Sequence, residues 1–542
     1  MNILLVSLLT LFGLYLRLIG INKPQGLWND EYISWFVASH SFSSGFLREV
    51  LAQCHMPLYY LYLKCCMFFG GSSDLFLRIT SVIPGVLSII VMYFVGLQNN
   101  KKTGFVCALL TAVSSFLIYY SQEVRLYSLL FLLSALALLY FLKFVKNKNW
   151  TNLGGLVLFN FLIIFTHTIG FVFVFFQLAG LTVLLFKDFK KQLLSIWLGV
   201  ILLGSICIPQ IVRILTTPSF SQWWGHFTLS KIGFLFTDYF SPVLTNLVNA
   251  PDKLLYIKSV SFVFFTFVPA ILAILFICRA VYKNKENTVL LGVCTGVILV
   301  LAGAAAIGKL VFITKYSVEI YPILLYLAAF GVCAFEHKKT AYTAASVLLM
   351  INLFYLFISP ASAPKIPRPQ GHKIVADLLN RANPKDGDFI LLEYYPQNRF
   401  EKYFDFSKYT VHSIDKGSFP IFMTPDVDYA EVLADGKDKY KDVFAEKVPA
   451  HIDVMLIELI LKQIKPGQNV FVVMSDSVAI YSPVDIQQIV SDDYLYNKTP
   501  IMYMIFSYIK NKVFIDLSKS LAVTRYEKIG DWSIVRFTKL NK

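Results

Sequence analysis

The sequence predicts an α-helical polytopic membrane protein with a C-terminal soluble α/β domain, and three observations predict it. Of its 542 residues 56% are hydrophobic and only 15% charged, with a mean hydropathy of +0.61. A soluble chain of this length needs far more charge to cover its surface. Apolar stretches near the ~20 residues that a spanning helix requires recur along the first two thirds of the chain. Beyond a linker marked by Pro360, Pro364, Pro367 and Pro369, the pattern changes to short alternating segments.

The first twenty residues lack the basic start and small-residue cleavage site of a signal peptide. Their one charge, Arg17, lies near the far end, so they read as a retained first helix. About eleven spans are expected, near 3–21, 76–96, 103–121, 125–142, 152–167, 168–186, 193–211, 257–279, 287–307, 318–335 and 341–358. The pair 152–186 is one run split at Thr166-His167-Thr168. With a cytoplasmic N-terminus, the inner loops are Asn99–Lys102, Lys143–Trp150, Lys187–Lys191, Arg279–Glu286 and Glu336–Lys339. All are short and lysine-rich, as the positive-inside rule requires. An odd number of spans then delivers the tail to the exterior.

The outer loops 22–75 and 212–256 are long, rich in Trp and Tyr, and suited to helices lying along the interface. Residues 1–359 thus form a transmembrane domain and 360–542 an extracytoplasmic domain. In the latter, Ile374–Arg381, Val454–Ile464 and Val484–Val490 read as helices. Phe389–Tyr394, Val470–Met474 and Asp531–Thr538 read as strands.

The formal charge of +15 raises the question of nucleic acid, but the excess is confined to the membrane portion. Residues 1–360 carry 25 Lys and Arg against 11 Asp and Glu, while the remainder is nearly neutral. A nucleic-acid partner is therefore not expected. All eight cysteines precede residue 334, and none has zinc-ligand spacing.

Four polar clusters fall on the outer side. Trp28-Asn29-Asp30-Glu31-Tyr32 reads either as a helix start with acids in its first turn or as a general base at the membrane surface. In His55-Met56-Pro57-Leu58-Tyr59-Tyr60, Pro57 opens a helix. In Tyr120-Ser121-Gln122-Glu123-Val124-Arg125-Leu126-Tyr127, a helical reading puts Gln122 with Arg125 and Glu123 with Tyr127. There Arg125 either snorkels to headgroups or anchors a lipid phosphate. In Thr314-Lys315-Tyr316-Ser317-Val318-Glu319, Lys315 and Glu319 stand at the spacing of a salt pair. His167 is alone in an apolar run, where packing with one hydrogen bond is the commoner fate. No Walker A loop, GxGxxG or HExxH occurs. Asp386-Gly387-Asp388 and Asp426-Val427-Asp428 carry little weight, the first being an evident turn. An enzyme outside the cytoplasm has no nucleotide supply, so a transferred group must arrive activated, and a lipid carrier is its natural source.

Taken in order, these clusters, with Leu77-Arg78-Ile79-Thr80-Ser81-Val82-Ile83 between them, resemble the GT-C glycosyltransferases over residues 1–335. The resemblance is to the bacterial branch related to protein O-mannosyltransferases and lipid A aminoarabinose transferases; the tail matches nothing recognisable. It implies inverting transfer of a sugar from a polyprenyl-phosphate carrier to a lipid, glycan or protein acceptor at the plasma (bacterial inner) membrane. It assigns catalysis to Asp30 with Glu31 as partner. Donor-phosphate or substrate binding goes to Arg125, Lys315, His55, Tyr59, Tyr60, Gln122, Glu123, Arg78, His167, Tyr316 and Glu319. Lys315 stands where the family usually has Arg, and Met56 replaces the first proline of an H-P-P motif. No cofactor is required, though the scheme leaves room for a divalent metal near Glu31 or His55. The alternatives are a lipid-linked sugar transporter or flippase, which calls for ionisable groups near mid-membrane, and an envelope scaffold docking through its tail.

Overall fold

The computed structural model describes residues 3–21, 26–42, 45–53, 55–187, 189–209, 211–212, 228–241, 260–307, 312–335, 338–358, 371–392, 402–413, 456–475, 517–518, 520–529 and 532–540. The chain divides into a helical unit of residues 1–24 and 29–368 and a smaller unit of residues 25–28 and 369–542. The expected proline-marked linker lies outside the described residues.

The helical unit opens with α1 (Ile3–Leu18). The stretch expected to be the first long loop folds into α2 (Asn29–Ser39), α3 (Phe46–Ala52) and α4 (Leu58–Gly70), the last beginning directly after Pro57. There follow α5 (Asp74–Leu97), α6 (Lys101–Val113), α7 (Ser115–Ser121), α8 (Tyr127–Lys146), α9 (Trp150–Ile164), α10 (Gly170–Leu185) and α11 (Lys190–Gly204). The second long loop contributes α12 (Ser230–Phe240); its residues 213–227 and 242–256 lie outside the described set. The unit ends with α13 (Val260–Lys283), α14 (Lys285–Ala306), a 3₁₀ segment Thr314–Ile320, α15 (Tyr321–Ala334) and α16 (Lys338–Ile358).

Several of these helices start where a polar side chain accepts from an otherwise orphaned N–H: Ser73 from Phe76, Asn100 from Thr103, Asn149 from Asn152 and Asn284 from Glu286. Small residues set the close approaches, since a Cβ on Gly96 would meet the Gly104 Cα at 2.6 Å.

The protein is a multi-pass membrane protein. Each of the eleven apolar stretches is mostly helical where described, but length and composition qualify fewer as spans. Among the described residues five helices are long and apolar enough, or six if the bent pair α6–α7 counts as one. The runs α9 and α10 have 15 and 16 residues. At about 1.5 Å per residue they fall short of a ~30 Å hydrocarbon core. The stretch expected to span over 103–121 is broken: α6 and α7 meet at Ser114 with a bend of 56°.

The C-terminal unit is α/β. Its helix α17 (Gly371–Ala382) buries Val375, Leu378 and Leu379 in a core with Ile390, Leu392, Phe471 and Val473. The sheet has the order β2-β1-β3-β5-β4, with β1 (Phe389–Leu392), β2 (Thr410–Ser413), β3 (Asn469–Ser475), β4 (Ala522–Ile529) and β5 (Trp532–Thr538). Strand β1 pairs parallel with β2 and β3, whereas β5 is antiparallel to β3 and β4. Helix α18 (Leu456–Gln463) lies where expected; Val484–Val490 and Asp426-Val427-Asp428 lie outside the described residues. Asp386-Gly387-Asp388 is a turn, with Gly387 at φ 87°. Asp388 there accepts from Lys385 N and Asn469 N, both at 2.8 Å.

Candidate active site

Two neighbouring carboxylates start the site. Helix α2 begins at Asn29 and carries Asp30 and Glu31 in its first turn, where acid complements the helix dipole. Successive helical residues point about 100° apart, so the two diverge. Glu31 turns inward and is fully buried. It receives Arg78 Nε at 3.1 Å and Nη2 at 2.9 Å, a two-pronged ion pair, and accepts from Val124 N at 3.1 Å. Arg78, from α5, also donates to the Ile21 carbonyl at 3.3 Å.

Asp30 turns to the open side, its side chain 25% exposed. Two cations from distant parts of the sequence face its Oδ2, Lys315 Nζ at 3.6 Å and Arg125 Nη2 at 3.9 Å. Both lie over the Tyr127 ring, 5.6 and 6.0 Å from its centre, where the negative face of the ring favours a cation.

Arg125 does not lie on a helix, which corrects the helical reading of 120–127. Helix α7 ends at Ser121 and α8 begins at Tyr127, so residues 122–126 form a turn and Gln122 shares no helix face with Arg125. Gln122 is buried, and its amide donates to the carbonyls of Arg17 at 3.0 Å and Ile19 at 2.8 Å, tying the turn to the end of α1. The Glu123 carbonyl accepts from Arg125 N at 2.7 Å, with the Glu123 side chain buried. Arg125 Nη1 donates to the Asp30 carbonyl at 3.3 Å and Ser34 Oγ at 3.4 Å.

Arg125 Nη2 donates to His55 Nε2 at 2.8 Å. A guanidinium has no acceptor, so this imidazole nitrogen accepts and His55 is neutral. The same state follows from its setting: burial, then the charge of Arg125, holds His55 well below the ordinary histidine range. Burial works against the Arg125 charge too, but Asp30, Tyr127, Tyr60 and Glu123 together more than restore it and the group stays cationic.

His167 is not a lone packed histidine. Its Nδ1 lies 2.6 Å from Glu319 Oε1, with both side chains buried. The His167 ring is 5.7 Å from that of His55 and 6.2 Å from that of Tyr316. Backbone geometry brings the histidines together, since Leu58 N donates to the Phe165 carbonyl at 2.9 Å. The salt pair that the spacing of Lys315 and Glu319 offers gives way to separate partners, Asp30 and His167. Tyr59 and Tyr60 are buried on α4 with rings 5.9 Å apart, close enough to Arg125 to interact electrostatically.

Sequence reasoning missed what holds Lys315. Asp238 on α12 is buried and accepts from Thr314 Oγ1 at 2.6 Å, while Tyr239 donates to the Ser317 carbonyl at 2.7 Å. The signal was available, because Asp238 is the one acid in the apolar run Ser230–Phe240. Among the described residues no three of His, Cys, Asp and Glu are gathered to hold a metal ion.

The arrangement is a part-exposed carboxylate flanked by two cations in the helical unit. Over 98% of its length the chain is similar to ArnT from Cupriavidus metallidurans in the apo state, with a TM-score of 0.57 and 12% identity over 97% of that chain. The fold is that of the GT-C glycosyltransferases. A second GT-C likeness is to ArnT from the same organism bound to undecaprenyl phosphate, with a TM-score of 0.54, 11% identity and coverage of 99% of this chain and 98% of that one. A third is to the Archaeoglobus fulgidus oligosaccharyltransferase in complex with Zn and sulfate, with a TM-score of 0.51, 11% identity and coverage of 87% and 68%. No protein-family model matches the chain, and no curated protein matches it by sequence. At these identities the likeness establishes the GT-C fold.

Proposed function

We propose that this protein is an inverting glycosyltransferase that moves a sugar from a polyprenyl-phosphate carrier to an acceptor hydroxyl at the outer face of the plasma membrane. The observation that carries the reading is the half-open Asp30 carboxylate between Arg125 and Lys315. A sugar phosphate needs both features at once: cations for the departing phosphate and a base for the attacking hydroxyl. The GT-C fold, and undecaprenyl phosphate as the molecule bound by an ArnT of that fold, support the donor class. The lysine-rich inner loops support the outer face.

The roles follow from the contacts. Without donor, both cations face the Asp30 carboxylate. A phosphate entering between Arg125 and Lys315 draws their charge to itself, leaving Asp30 better able to accept a proton. The acceptor oxygen then attacks the anomeric carbon from the face opposite the phosphate, passing its proton to Asp30. The C–O bond to the phosphate breaks, and its growing charge is met by Arg125 and Lys315. Glu31 plays a different part from the catalytic one the resemblance implies. Its oxygens are engaged by Arg78 and Val124 N, so it acts by fixing α2 and the Arg125 turn. His167 and Glu319 lie beside His55 as a wall of the donor site.

The reading is tested in a deletion strain by mass spectrometry of its lipids. Accumulated polyprenyl-phosphate sugar together with a missing surface modification is expected. An unchanged lipid profile and intact surface glycolipids, glycans and proteins would refute it.

A further inference from the structure

Arg17 is fully buried in α1 and takes no part in the chemistry above. Among the ionic pairs of the described residues it has no acid; it spends its donors on neutral oxygens. Nη1 donates to the Gly13 carbonyl at 3.0 Å and the Ala112 carbonyl at 3.1 Å, Nη2 to the Thr111 carbonyl at 3.0 Å, and Nε to Ser121 Oγ at 3.2 Å. An unpaired arginine inside a membrane unit is costly, so its placement calls for a reason.

The oxygens it chooses supply one. Thr111 and Ala112 lie in the last turn of α6, whose carbonyls lose their helical partners at the 56° bend before α7. A broken helix inside a membrane survives only when neighbouring groups take up the freed backbone. A cation at a helix C-terminus also complements its dipole. Ser114 caps the start of α7 by accepting from Leu117 N, and its hydroxyl lies 2.9 Å from Tyr321 Oη. Arg17 thus closes one side of the break while its Nε reaches Ser121, the last residue before the turn that carries Gln122 and Arg125. Room for the guanidinium comes from Gly85 and Gly13. A Cβ on Gly85 would sit 2.2 Å from Ser121 Oγ and 3.1 Å from Arg17 Nε.

We infer that Arg17 is a positioning residue: it holds the α6–α7 break, and through it aims the Gln122–Arg125 turn at the donor phosphate. The inference rests on the donor reading above only for its second clause, and two readouts separate them. In purified protein, Arg17→Met should weaken binding of undecaprenyl phosphate roughly tenfold, with Arg17→Lys intermediate because it keeps the charge and loses the fork. Hydrogen–deuterium exchange over residues 111–125 should rise in both variants. Gly85→Ala, which crowds the same guanidinium, should shift both readouts in the same direction. Folded Arg17→Met with wild-type affinity and wild-type exchange overturns the inference. If Arg17→Met does not accumulate, wild-type values in Arg17→Lys and Gly85→Ala overturn it equally. A wild-type protein that ignores undecaprenyl phosphate refutes the donor reading; the exchange data then decide the role of Arg17 at the break.

Discussion

The two ends of the Asp30–Glu31 dipeptide show how one helical turn divides labour. On the inner side Glu31 and Arg78 are sealed from solvent and joined by two short hydrogen bonds. On the outer side Asp30 meets Arg125 and Lys315 at 3.9 and 3.6 Å, beyond hydrogen-bond length and open to an incoming molecule. A sealed pair can only hold the fold, because neither partner can leave without stranding a buried charge. A loose, accessible trio can change partners, as a site that binds and releases phosphate must.

Breaking the sealed side should give the largest effect on stability. Arg78→Ala leaves Glu31 buried without that cation, and removal of one partner of such a pair costs about 3–5 kcal/mol. Thermal unfolding in detergent should show this as a large fall in midpoint or as failure to accumulate. A wild-type midpoint would mean that Glu31 is not confined as described. On the open side, Arg125→Ala should lower the midpoint less than Arg78→Ala does while lowering kcat about a hundred- to thousandfold, as for other lost transition-state donors. Equal losses of stability and activity would erase the distinction between the two sides.

A smaller effect is expected from pH. His55 is held neutral in the fold, below its ordinary value. The unfolded chain takes up a proton near pH 6.5 while the folded site does not, so this group costs stability as pH falls through that value and nothing above about pH 7. Unfolding midpoints of wild type and His55→Gln should therefore diverge less at pH 5 than at pH 7.5, because the variant has no such loss. A constant difference across this range would place the proton on folded His55. Smallest of all, EDTA should leave transfer unchanged, since no step of the scheme calls on a metal. A loss restored by a divalent ion would bring a metal near Glu31 or His55 into the mechanism.

Much of this was legible in the sequence, for identifiable reasons. The apolar runs predict helices because burial in lipid demands internally satisfied backbone. The residues gathered around Asp30 could be picked out as polar clusters in advance, but their contacts could not. Whether Glu31 reacts or is sealed depends on Arg78, 47 residues away. The break at Ser114 carries neither Pro nor Gly; it is stabilised by Arg17, some 95 residues earlier. In the C-terminal unit, β4 escaped notice because Ala522–Ile529 is an edge strand whose Arg525, Glu527 and Lys528 mask its alternation. The short β2 is recognisable only from its parallel pairing with β1.

The most direct test of the account is Asp30→Asn, assayed for transfer from the polyprenyl-phosphate sugar that accumulates in the deletion strain. The substitution keeps size and removes only the base, so folding and undecaprenyl phosphate binding should persist. Turnover should fall about a hundred- to ten-thousandfold. Wild-type turnover in that variant would contradict the assignment of Asp30 as the base.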